Sequence, residues 1–396
     1  MEMNRMESVI LVRYAEIHLK GLNRPYFERA LCDAIKKKLL PIKTTVYREQ
    51  GRIFIYGVPE SELEEACIKA SRVFGVHSVS PTHSVEKDWN QIVESAYGLM
   101  ERELERNPSG RVTFKVFAKR ADKKFPMRSQ EICSELGHLL LEKFSCLNVD
   151  VHQPKLEMHV EIRQNNAFVY TSFFPGVGGM PVGTNGKATL LISGGIDSPV
   201  AGYMIAKRGV RINAVHFYSY PYTSERARDK VVDLAKLVAE YSDGIKLFLV
   251  PFTEIQTTIY EKCPPTETTI LMRRLMMKIS ERIARSEGSM ALITGESIGQ
   301  VASQTIESLA VTNDAVTLPV FRPLIGFDKD EIVDYAKKIG TFETSILPYE
   351  DCCTVFVPKH PVTRPDIQQL RDSEALVDFE PMMEKAIAET EVMEIG

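Results

Sequence analysis

One stretch near the middle of the chain constrains the fold more than any other. It consists of the apolar residues 190–192, a small-residue loop from Ser193 to Ser198, and Pro199. The apolar residues have the character of a buried parallel strand. Pro199 suits the first turn of a helix, where a missing N–H costs nothing. Because backbone N–H groups and a helix dipole converge at such a strand–loop–helix junction, we predict an anion site there.

The loop does not end in the Gly-Lys-Ser/Thr of a Walker A motif. Its residues Ser193, Gly194, Gly195, Asp197 and Ser198 form the pattern Ser-Gly-Gly-Xaa-Asp-Ser, which resembles the PP-loop of the ATP pyrophosphatases. The resemblance implies that ATP is cut between its α and β phosphates. It also implies that Asp197 holds Mg²⁺ and that the two serines donate hydrogen bonds to pyrophosphate. The alternative is an ordinary strand–helix turn with two glycines.

Beyond a glycine-rich linker, strands and helices alternate along the chain. The predicted strands are Leu190–Ile192, Ile212–Phe217, Leu247–Phe252 and Met290–Thr294. The predicted helices are Pro199–Arg208, Ser224–Tyr241, Thr268–Ser286, Ile298–Leu309 and Lys329–Ile339. This alternation predicts a doubly wound parallel sheet with its ligand site at the carboxyl ends of the strands.

Residues at those strand ends are the candidate ATP contacts, together with two from nearby segments. They are Leu191, Ile192, His216, Phe217, Arg273, Gly295 and Gln304, in addition to the loop itself. Gly295 permits a close backbone approach to a ligand. Two alternatives stay open: His216 as a satisfied core histidine, and Arg274 in place of Arg273.

A basic run lies upstream of this domain. Between Arg111 and Gln130 there are seven basic residues and one acid, although the net charge of the chain is −4. Residues 112–120 alternate between apolar and polar types, which predicts a half-buried strand. A basic loop over residues 121–127 follows, and then an amphipathic helix from Ser129, its cap, to Phe144.

The residues from Phe117 to Ser129 resemble a THUMP domain, an RNA-binding module of tRNA-modifying enzymes. Basic side chains beside a strand can follow phosphates, and Phe125 is placed to stack on a base. The candidate RNA contacts are Lys115, Lys119, Arg120, Lys123, Lys124 and Arg128. The alternative is a solvated charge run with Phe125 in the core.

The stretch from Arg13 to Arg24 resembles the N-terminal ferredoxin-like domain of 4-thiouridine synthetases. On physical grounds it shows basic groups near a turn, namely Arg13, Lys20 and Arg24, and a solvated surface is the alternative. With the order of motifs in the α/β domain, the resemblance to this family covers nearly the whole chain. It implies a ferredoxin-like domain over residues 1–76, a THUMP domain over 77–173, a linker over 174–187 and a PP-loop domain over 188–396.

Two adjacent cysteines, Cys352 and Cys353, follow the last predicted helix in a proline-containing segment that we predict to be a loop. A thiol near an ATP site suits a sulfur carrier, because the thiolate and its persulfide are nucleophiles. The residue pattern does not separate the two, and a pair of small buried hydrophobes is the alternative. The family resemblance assigns the persulfide to Cys353.

The resemblance implies a tRNA sulfurtransferase that adenylates uridine 8 with ATP and Mg²⁺ and then forms 4-thiouridine. It implies a homodimer that binds the acceptor arm and uridine 8 region of tRNA, and a cysteine desulfurase as sulfur donor. We expect the form without a C-terminal rhodanese-like domain, with a further role in thiamine thiazole synthesis left open. The alternatives are another PP-loop adenylating ligase or amidotransferase, and a non-catalytic RNA-binding protein.

Composition supports a cytoplasmic protein with no membrane association. No apolar run approaches the roughly 20 residues that span a bilayer, and no secretory signal is evident. The seven cysteines contain no Cys-x-x-Cys pair, which indicates reduced thiols rather than a zinc site or an iron–sulfur cluster. The acidic residues 366–396 are expected to form a helical tail.

Overall fold

The chain is divided into two units, Met1–Gly179 and Met180–Gly396. The computed structural model describes residues 7–106, 110–349 and 361–396. None of the helices in these ranges is both long enough and apolar enough to cross a lipid bilayer.

The first unit is an α+β structure built on one sheet. Its strands are β1 (Glu7–Tyr14), β2 (Thr45–Glu49), β3 (Arg52–Tyr56), β4 (Val76–Glu86), β5 (Val112–Arg120), β6 (Leu147–Val149), β7 (Leu156–Ile162), β8 (Asn166–Tyr170) and β9 (Phe174–Pro175). Its α-helices are α1 (Arg24–Lys38), α2 (Leu63–Ser71), α3 (Trp89–Arg106) and α4 (Ser129–Lys143).

This sheet runs in the order β2-β3-β1-β4-β8-β7-β5-β6, and β9 also pairs with β4. Strand β4 is antiparallel to β1 on one side, with Ser80 opposite Leu11, and to β8 on the other, with Ser84 opposite Phe168. The predicted boundary between residues 76 and 77 falls at the start of β4. Hydrogen bonds on both sides of β4 therefore join the two predicted modules into one sheet.

Strand β5 has the alternation that the sequence predicts. Val112, Phe114 and Val116 are buried in a core that also contains residues of α3 and α4. The expected cap of α4 is wrong, because Ser129 is the first helical residue and Arg128 is the N-cap. Glu131, in the first turn, accepts a hydrogen bond from the Arg128 backbone N–H at 2.6 Å, so a glutamate that reaches back supplies the capping contact.

The second unit is an α/β structure. Its strands are β10 (Lys187–Leu191), β11 (Arg211–Tyr218), β12 (Ile245–Pro251), β13 (Leu292–Ile293), β14 (Val320–Phe321) and β15 (Glu391–Ile395). Its α-helices are α5 (Asp197–Ala206), α6 (Glu225–Ser242), α7 (Thr253–Lys262), α8 (Thr268–Ser286), α9 (Ile306–Asp314), α10 (Lys329–Lys338) and α11 (Phe342–Ser345), followed by Ile367–Glu374 and Glu380–Ala388.

The strand order of this sheet creates a switch point. The order is β14-β13-β10-β11-β12-β15. Strands β10, β11 and β12 are successive parallel neighbours, whereas β13 lies on the other side of β10. The direction of winding therefore reverses between β10 and β13, and a ligand crevice is expected beyond the carboxyl ends of these two strands.

Two sequence predictions fail in this unit. Residues 298–309 do not form one helix: Gly299 has φ +76°, residues 302–304 form a 3-10 turn, and α9 begins at Ile306. The acidic tail is not wholly helical, because β15 pairs antiparallel with β12. Val392 lies opposite Phe248 in that pairing, so tertiary pairing at the sheet edge decides the conformation of this acidic segment.

Candidate active site and basic surface

The loop between β10 and α5 is closed by its own serine hydroxyls. The Ser193 N–H donates to Ser198 Oγ at 2.9 Å, and the Gly195 N–H donates to Ser193 Oγ at 3.3 Å. Ser198 is buried, with 5% of its surface exposed. The two hydroxyls predicted to contact pyrophosphate therefore also shape the loop, and they hold it against the first turn of α5.

Gly295 makes a close approach, but to the protein itself. A Cβ placed on Gly295 would lie 2.7 Å from the Ser198 nitrogen and 2.8 Å from the Asp197 carbonyl carbon. This glycine therefore lets the chain after β13 pack against the N-terminus of α5, and the expected contact of Gly295 with a ligand stays a prediction. Any side chain here would push the two segments apart.

A cleft of about 280 Å³ lies at the switch point. The predicted residues that line it are Leu191, Ile192, Ser193, Asp197, Ser198, His216, Phe217, Arg273, Gly295 and Gln304. Gly194 and Gly195 lie in the loop but are not among its lining residues. Residues widely separated in sequence therefore meet around one space, as the strand-end rule predicts.

His216 and Phe217 form one wall of the cleft and are also part of the core. Only 4% of His216 and 5% of Phe217 is exposed. The His216 ring nitrogen Nδ1 lies 3.1 Å from the Ile192 carbonyl oxygen, which ties the end of β11 to the end of β10. Phe217 packs edge-on against Phe252 with 5.3 Å between ring centroids. The alternative of a hydrogen-bonded core histidine is therefore compatible with a place in the cleft wall.

Arg273 and Arg274 are neighbours on α8 but lie in different surroundings. Arg273 lines the cleft and forms an ion pair with Glu296. Arg274 has 3% of its side chain exposed and pairs with Asp314 at 3.1 Å and Glu374 at 2.7 Å. Because successive helical residues point about 100° apart, the helix presents Arg273 to the cleft and Arg274 to a structural ion pair.

Sequence reasoning missed Glu296, although it lies just beyond a predicted strand end. It is buried, with 4% exposed, and lines the cleft. One carboxylate oxygen accepts from Thr294 Oγ1 at 2.8 Å and from Arg322 Nε at 2.7 Å. Burial lowers the pKa of the Arg322 guanidinium, which still carries its charge near neutral pH because arginine does not deprotonate in proteins.

Asp197 has two partners that the sequence did not indicate. Its Oδ1 lies 2.7 Å from Lys329 Nζ, and its Oδ2 accepts from Gln300 Nε2 at 3.0 Å. In the described residues there is no group of three or more His, Cys, Asp or Glu arranged around a metal. One carboxylate nevertheless suits Mg²⁺, which usually takes one or two protein carboxylates and completes its shell with water and substrate phosphates. Lys329 is far from Asp197 in sequence, so no local motif could have found it.

Cys352 and Cys353 lie outside the described residues, within the undescribed range 350–360. Residues just before and just after this range are hydrogen-bonded in the second unit. The Leu347 carbonyl accepts from Lys230 Nζ at 2.8 Å, and the Thr363 carbonyl accepts from Thr305 Oγ1 at 2.7 Å. Thr305 follows Gln304 of the cleft wall, so one of these flanking contacts lies beside the cleft.

The basic run of the first unit is partly a surface and partly a support. Lys119, Lys123, Lys124 and Arg128 are exposed. Lys115 is less exposed: its Nζ donates to the Val151 carbonyl at 2.9 Å and lies 4.6 Å from the centroid of the Phe117 ring. The exposed side chains fit the prediction of a surface that meets phosphates.

Two members of the predicted RNA surface have structural contacts instead. Arg120 Nη1 donates to the carbonyls of Phe125 and Met127 at 3.0 and 3.1 Å, so its guanidinium supports the loop from within. Phe125 is 7% exposed and belongs to the core with α3 and α4. The suggestion that Phe125 stacks on a base is therefore wrong, because the ring is already buried under its own loop.

A groove of about 1140 Å³ runs beside this surface. Three of its lining rings form a stack: His159 lies between Phe117 and Tyr170, with centroid distances of 4.7 and 5.0 Å. Arg13 lies over Tyr170 at 4.8 Å and donates to Ser80 Oγ at 3.0 Å. Of the basic groups near the first turn, Arg13 is therefore part of a groove wall rather than of a solvated surface.

Arg24 and Lys20 also contact other side chains. Arg24 Nη2 donates to the Tyr14 hydroxyl at 2.7 Å, and its Nε donates to Glu28 at 2.8 Å. Lys20 Nζ lies 4.9 Å from the centroid of the Phe27 ring. Burial and the Glu28 carboxylate raise the pKa of Tyr14 to about 12.

Fold and site together define a class: an α/β domain with a phosphate-binding loop at its switch point, in one chain with a mixed α+β unit that carries a basic surface. Residues 9–80 match the family described as "ThiI ferredoxin-like domain", residues 86–172 match "THUMP domain", and residues 183–379 match "Thiamine biosynthesis protein (ThiI)". The chain belongs to the ThiI family of tRNA sulfurtransferases. The predicted resemblance and fold class are confirmed.

Two relatives named as tRNA sulfurtransferases align with almost the whole chain. The "Probable tRNA sulfurtransferase" of Acetivibrio thermocellus is 54% identical over 98% of this chain and 99% of its own length. The protein of the same name from Alkaliphilus metalliredigens is 52% identical over 99% of both chains.

Two solved structures are similar. The crystal structure of a 4-thiouridine synthetase–RNA complex with bound ATP has a TM-score of 0.91 at 41% identity and covers 98% of this chain and 100% of that chain. A protein from Pyrococcus horikoshii has a TM-score of 0.67 at 26% identity, over 84% of this chain and 99% of its own.

Proposed function

We propose that this chain is an ATP-dependent tRNA sulfurtransferase that converts uridine 8 of tRNA to 4-thiouridine. The observation that carries the proposal is the cleft at the switch point, where a PP-loop, Asp197 and Arg273 converge. The names of the relatives support sulfur transfer to tRNA, and the relative solved with RNA and ATP supports both substrates.

The cleft suits an adenylation step. The C4 oxygen of the uridine attacks the α-phosphorus of ATP while N3 gives up its proton, which it regains when 4-thiouridine forms. The bond between the α-phosphorus and the α–β bridging oxygen breaks to release pyrophosphate. The N-terminus of α5 and Arg273 stabilise the negative charge of the phosphates. Leu191, Ile192 and Phe217 form an apolar wall for the adenosine, to which His216 and Gln304 add polar side chains.

Asp197 is the residue that would hold Mg²⁺ in this cleft. The ion would neutralise charge on the phosphates and orient them for in-line attack. Lys329 shares the Asp197 carboxylate in the structure, at 2.7 Å. This lysine is therefore close enough to compete with a cation at Asp197 and, once displaced, to meet a phosphate oxygen.

Cys353 is proposed to deliver the sulfur. The outer sulfur of a Cys353 persulfide attacks C4, and AMP leaves with the former C4 oxygen. A second thiolate then attacks Cys353 Sγ, so that the sulfur bound to C4 leaves as 4-thiouridine and a disulfide remains. Cys352 or an external thiol provides that thiolate, and a dithiol reductant restores the enzyme.

The remaining partners follow from this chemistry. A cysteine desulfurase loads the persulfide, and the exposed lysines of the first unit bind the acceptor arm of tRNA in a cytoplasmic homodimer. Sulfur transfer to a thiamine thiazole precursor is a second candidate, favoured by the description of the matched family. It would require Cys353 but not the basic surface, so variants of Lys119 and Lys123 should leave it unchanged.

The test is mass spectrometry of nucleosides from unmodified tRNA incubated with the protein, ATP, Mg²⁺, a cysteine desulfurase and cysteine. We expect 4-thiouridine at position 8, with AMP and pyrophosphate formed in equal amounts. A reaction without ATP and one with Cys353→Ser are the controls. Thiolation that persists without ATP, or no thiolation of any tRNA by the complete mixture, would contradict the proposal.

A further inference from the structure

One group of three charged side chains at the cleft has a net positive charge. Glu296 is a single carboxylate shared by two guanidinium groups, those of Arg273 and Arg322. All three side chains are largely buried, with 5% of Glu296, 19% of Arg273 and 14% of Arg322 exposed. This group of three, which we call the Glu296 cluster, therefore holds two positive charges and one negative charge.

Both oxygens of Glu296 are engaged. One is paired with Arg273, and the other accepts from Arg322 Nε at 2.7 Å and from Thr294 Oγ1 at 2.8 Å. Thr294 is itself held in place, because its backbone N–H donates to the Phe321 carbonyl at 3.0 Å. The carboxylate is thus fixed to the ends of β13 and β14.

Arg273 is held from two sides. Glu296 binds one terminal nitrogen, and the other donates to the Ser303 carbonyl at 2.7 Å. Arg273 nevertheless lines the cleft. The guanidinium is therefore presented to the cleft in one orientation, without the freedom of a long flexible side chain.

Arg322 has a different position. It is not among the residues that line the cleft. Its Nη1 lies 3.3 Å from Asn313 Oδ1, and its Nη2 is buried without a hydrogen-bond partner in the structure. Its strongest contact is with Glu296, so its effect on the cleft passes through that carboxylate.

A carboxylate on the wall of a phosphate site weakens the attraction for an anion, since like charges repel. The presence of Glu296 there is explained if orientation matters more than affinity. We propose that Glu296 is a positioning residue for the adenylation step: it aims Arg273 at the phosphates of ATP, and Arg322 fixes Glu296. This inference rests on the proposed ATP-dependent function.

The first experiment compares the Glu296→Gln variant with the wild-type protein, both as full-length chains, in a pyrophosphate-release assay with tRNA. We expect kcat to fall about 10–100-fold, because Arg273 keeps its charge but loses the charged one of the two contacts that fix its orientation. The KM for ATP should not rise, and any fall should be less than about threefold, because both guanidinium charges remain and the repelling carboxylate is neutralised.

Glu374→Gln is the matched control. It removes the carboxylate from Arg274, the next residue of the same helix, at an ion pair away from the cleft. This variant should lower the Tm but leave kcat and KM at their wild-type values. The comparison therefore separates loss of a buried ion pair from loss of orientation in the cleft.

The Arg322→Lys variant is a second test of the proposal, and it serves in place of Glu296→Gln if that variant does not fold. It keeps the positive charge but removes the Nε donor to Glu296, so kcat should fall about 3–10-fold at unchanged KM. The inference is wrong if the kcat of Glu296→Gln and of Arg322→Lys equals that of the Glu374→Gln control. It is also wrong if either variant raises the KM for ATP more than about tenfold at unchanged kcat. Failure of the proposed function is distinguishable, because wild-type protein would then release no pyrophosphate.

Discussion

The two units of this chain hold their positive charge in different ways. In the second unit, Arg273 has 19% of its side chain exposed and is held at the cleft by Glu296 and by the Ser303 carbonyl, so its position is fixed. In the first unit, Lys119, Lys123 and Lys124 are exposed at a strand end and on the loop after it. Fixed cations can stabilise charge at one reacting centre, whereas exposed lysines can follow a phosphate backbone. The surroundings of a basic residue, more than its presence, indicate its task.

The largest expected effect comes from Asp197→Asn. This change keeps the size of the side chain but removes the charge that is proposed to hold Mg²⁺, and it should lower pyrophosphate release about 100–1,000-fold. Affinity for tRNA should stay at the wild-type value, since the basic surface is intact. Both expectations are checked by measuring pyrophosphate release and tRNA binding on the same protein preparation.

Asp314→Asn is the control for that variant. Asp314 pairs with Arg274 and Arg371 at 3.1 and 2.5 Å but does not line the cleft. It should lower the Tm and leave pyrophosphate release intact. Equal loss of activity in both variants would show that Asp197 acts through stability and would break the contrast between the units.

Reversing Lys119, Lys123 and Lys124 to Glu should have the next largest effect. We expect the Kd for tRNA to rise about 30–100-fold at low salt, and each lost phosphate contact should lower the log–log salt slope by about 0.7–0.9. Filter binding at several salt concentrations measures both. An unchanged slope would place the RNA surface elsewhere, and a loss of basal ATP binding would mean that the lysines act on the cleft.

Acidification should weaken the first unit before the second. Burial and the nearby Arg102 guanidinium lower the pKa of His83 to about 4, below its ordinary value of 6.5. The neutral ring is also favoured because Arg102 donates to its Nε2. The stability that this histidine contributes is therefore fully present above pH 6.5 and is lost as the pH falls toward 4. Between pH 6.5 and 5 the loss should be on the order of 2 kcal/mol.

The second unit should respond at lower pH. Hydrogen bonds and ion pairs lower the pKa of Glu287 and Asp314, whose ordinary values are 4.5 and 3.8. Their contribution is present above those values and is lost only as the pH falls below them. Hydrogen exchange of peptides from each unit at pH 7 and pH 5 measures the difference, and His83→Gln should reduce it. A part should remain, because burial also lowers the pKa of His159 and His18 in the first unit. Equal loss of protection in both units at pH 5 would show that His83 is not the cause.

The smallest effect is expected from Arg120→Gln. The arginine supports the loop through the carbonyls of Phe125 and Met127, so the free energy of unfolding should fall by about 1–2 kcal/mol. Its effect on tRNA affinity should be less than that of Lys119→Gln. Denaturant unfolding and tRNA titration of the two variants check this. If Arg120→Gln raised the Kd for tRNA more than Lys119→Gln does, Arg120 would be a direct RNA contact.

The cleft can be predicted well from the sequence because neighbouring residues in one continuous stretch encode its central loop. The residues from Leu191 to Ser198 encode a strand, a tight loop and a helix start in one stretch. The strand-end rule then brings His216 and Gly295 to the same edge. The partners of Asp197 could not be predicted from the sequence, because Lys329 and Gln300 lie in later segments that only the fold brings close to it.

The failures of prediction in the basic region have a related cause. A run of positive charge does not show which members are used inside the fold. Arg120 binds carbonyls of its own loop, and Phe125 lies in the core, which is the alternative that the sequence left open. The predicted helix over residues 298–309 fails because positive φ at Gly299 ends any regular structure there. Arg273 and Arg274 are adjacent residues of the same type, and only the packing of α8 shows which of them faces the cleft.

We propose that the cleft of the second unit adenylates tRNA before any sulfur is transferred. Cys353→Ser protein incubated with tRNA and ATP labelled at the α-phosphate tests it most directly, because adenylation requires no thiol. We predict that the label becomes attached to tRNA at uridine 8, that no 4-thiouridine forms, and that Asp197→Asn in the same background removes the label. Label found on the protein, or none on tRNA while wild-type protein still makes 4-thiouridine, would contradict the account.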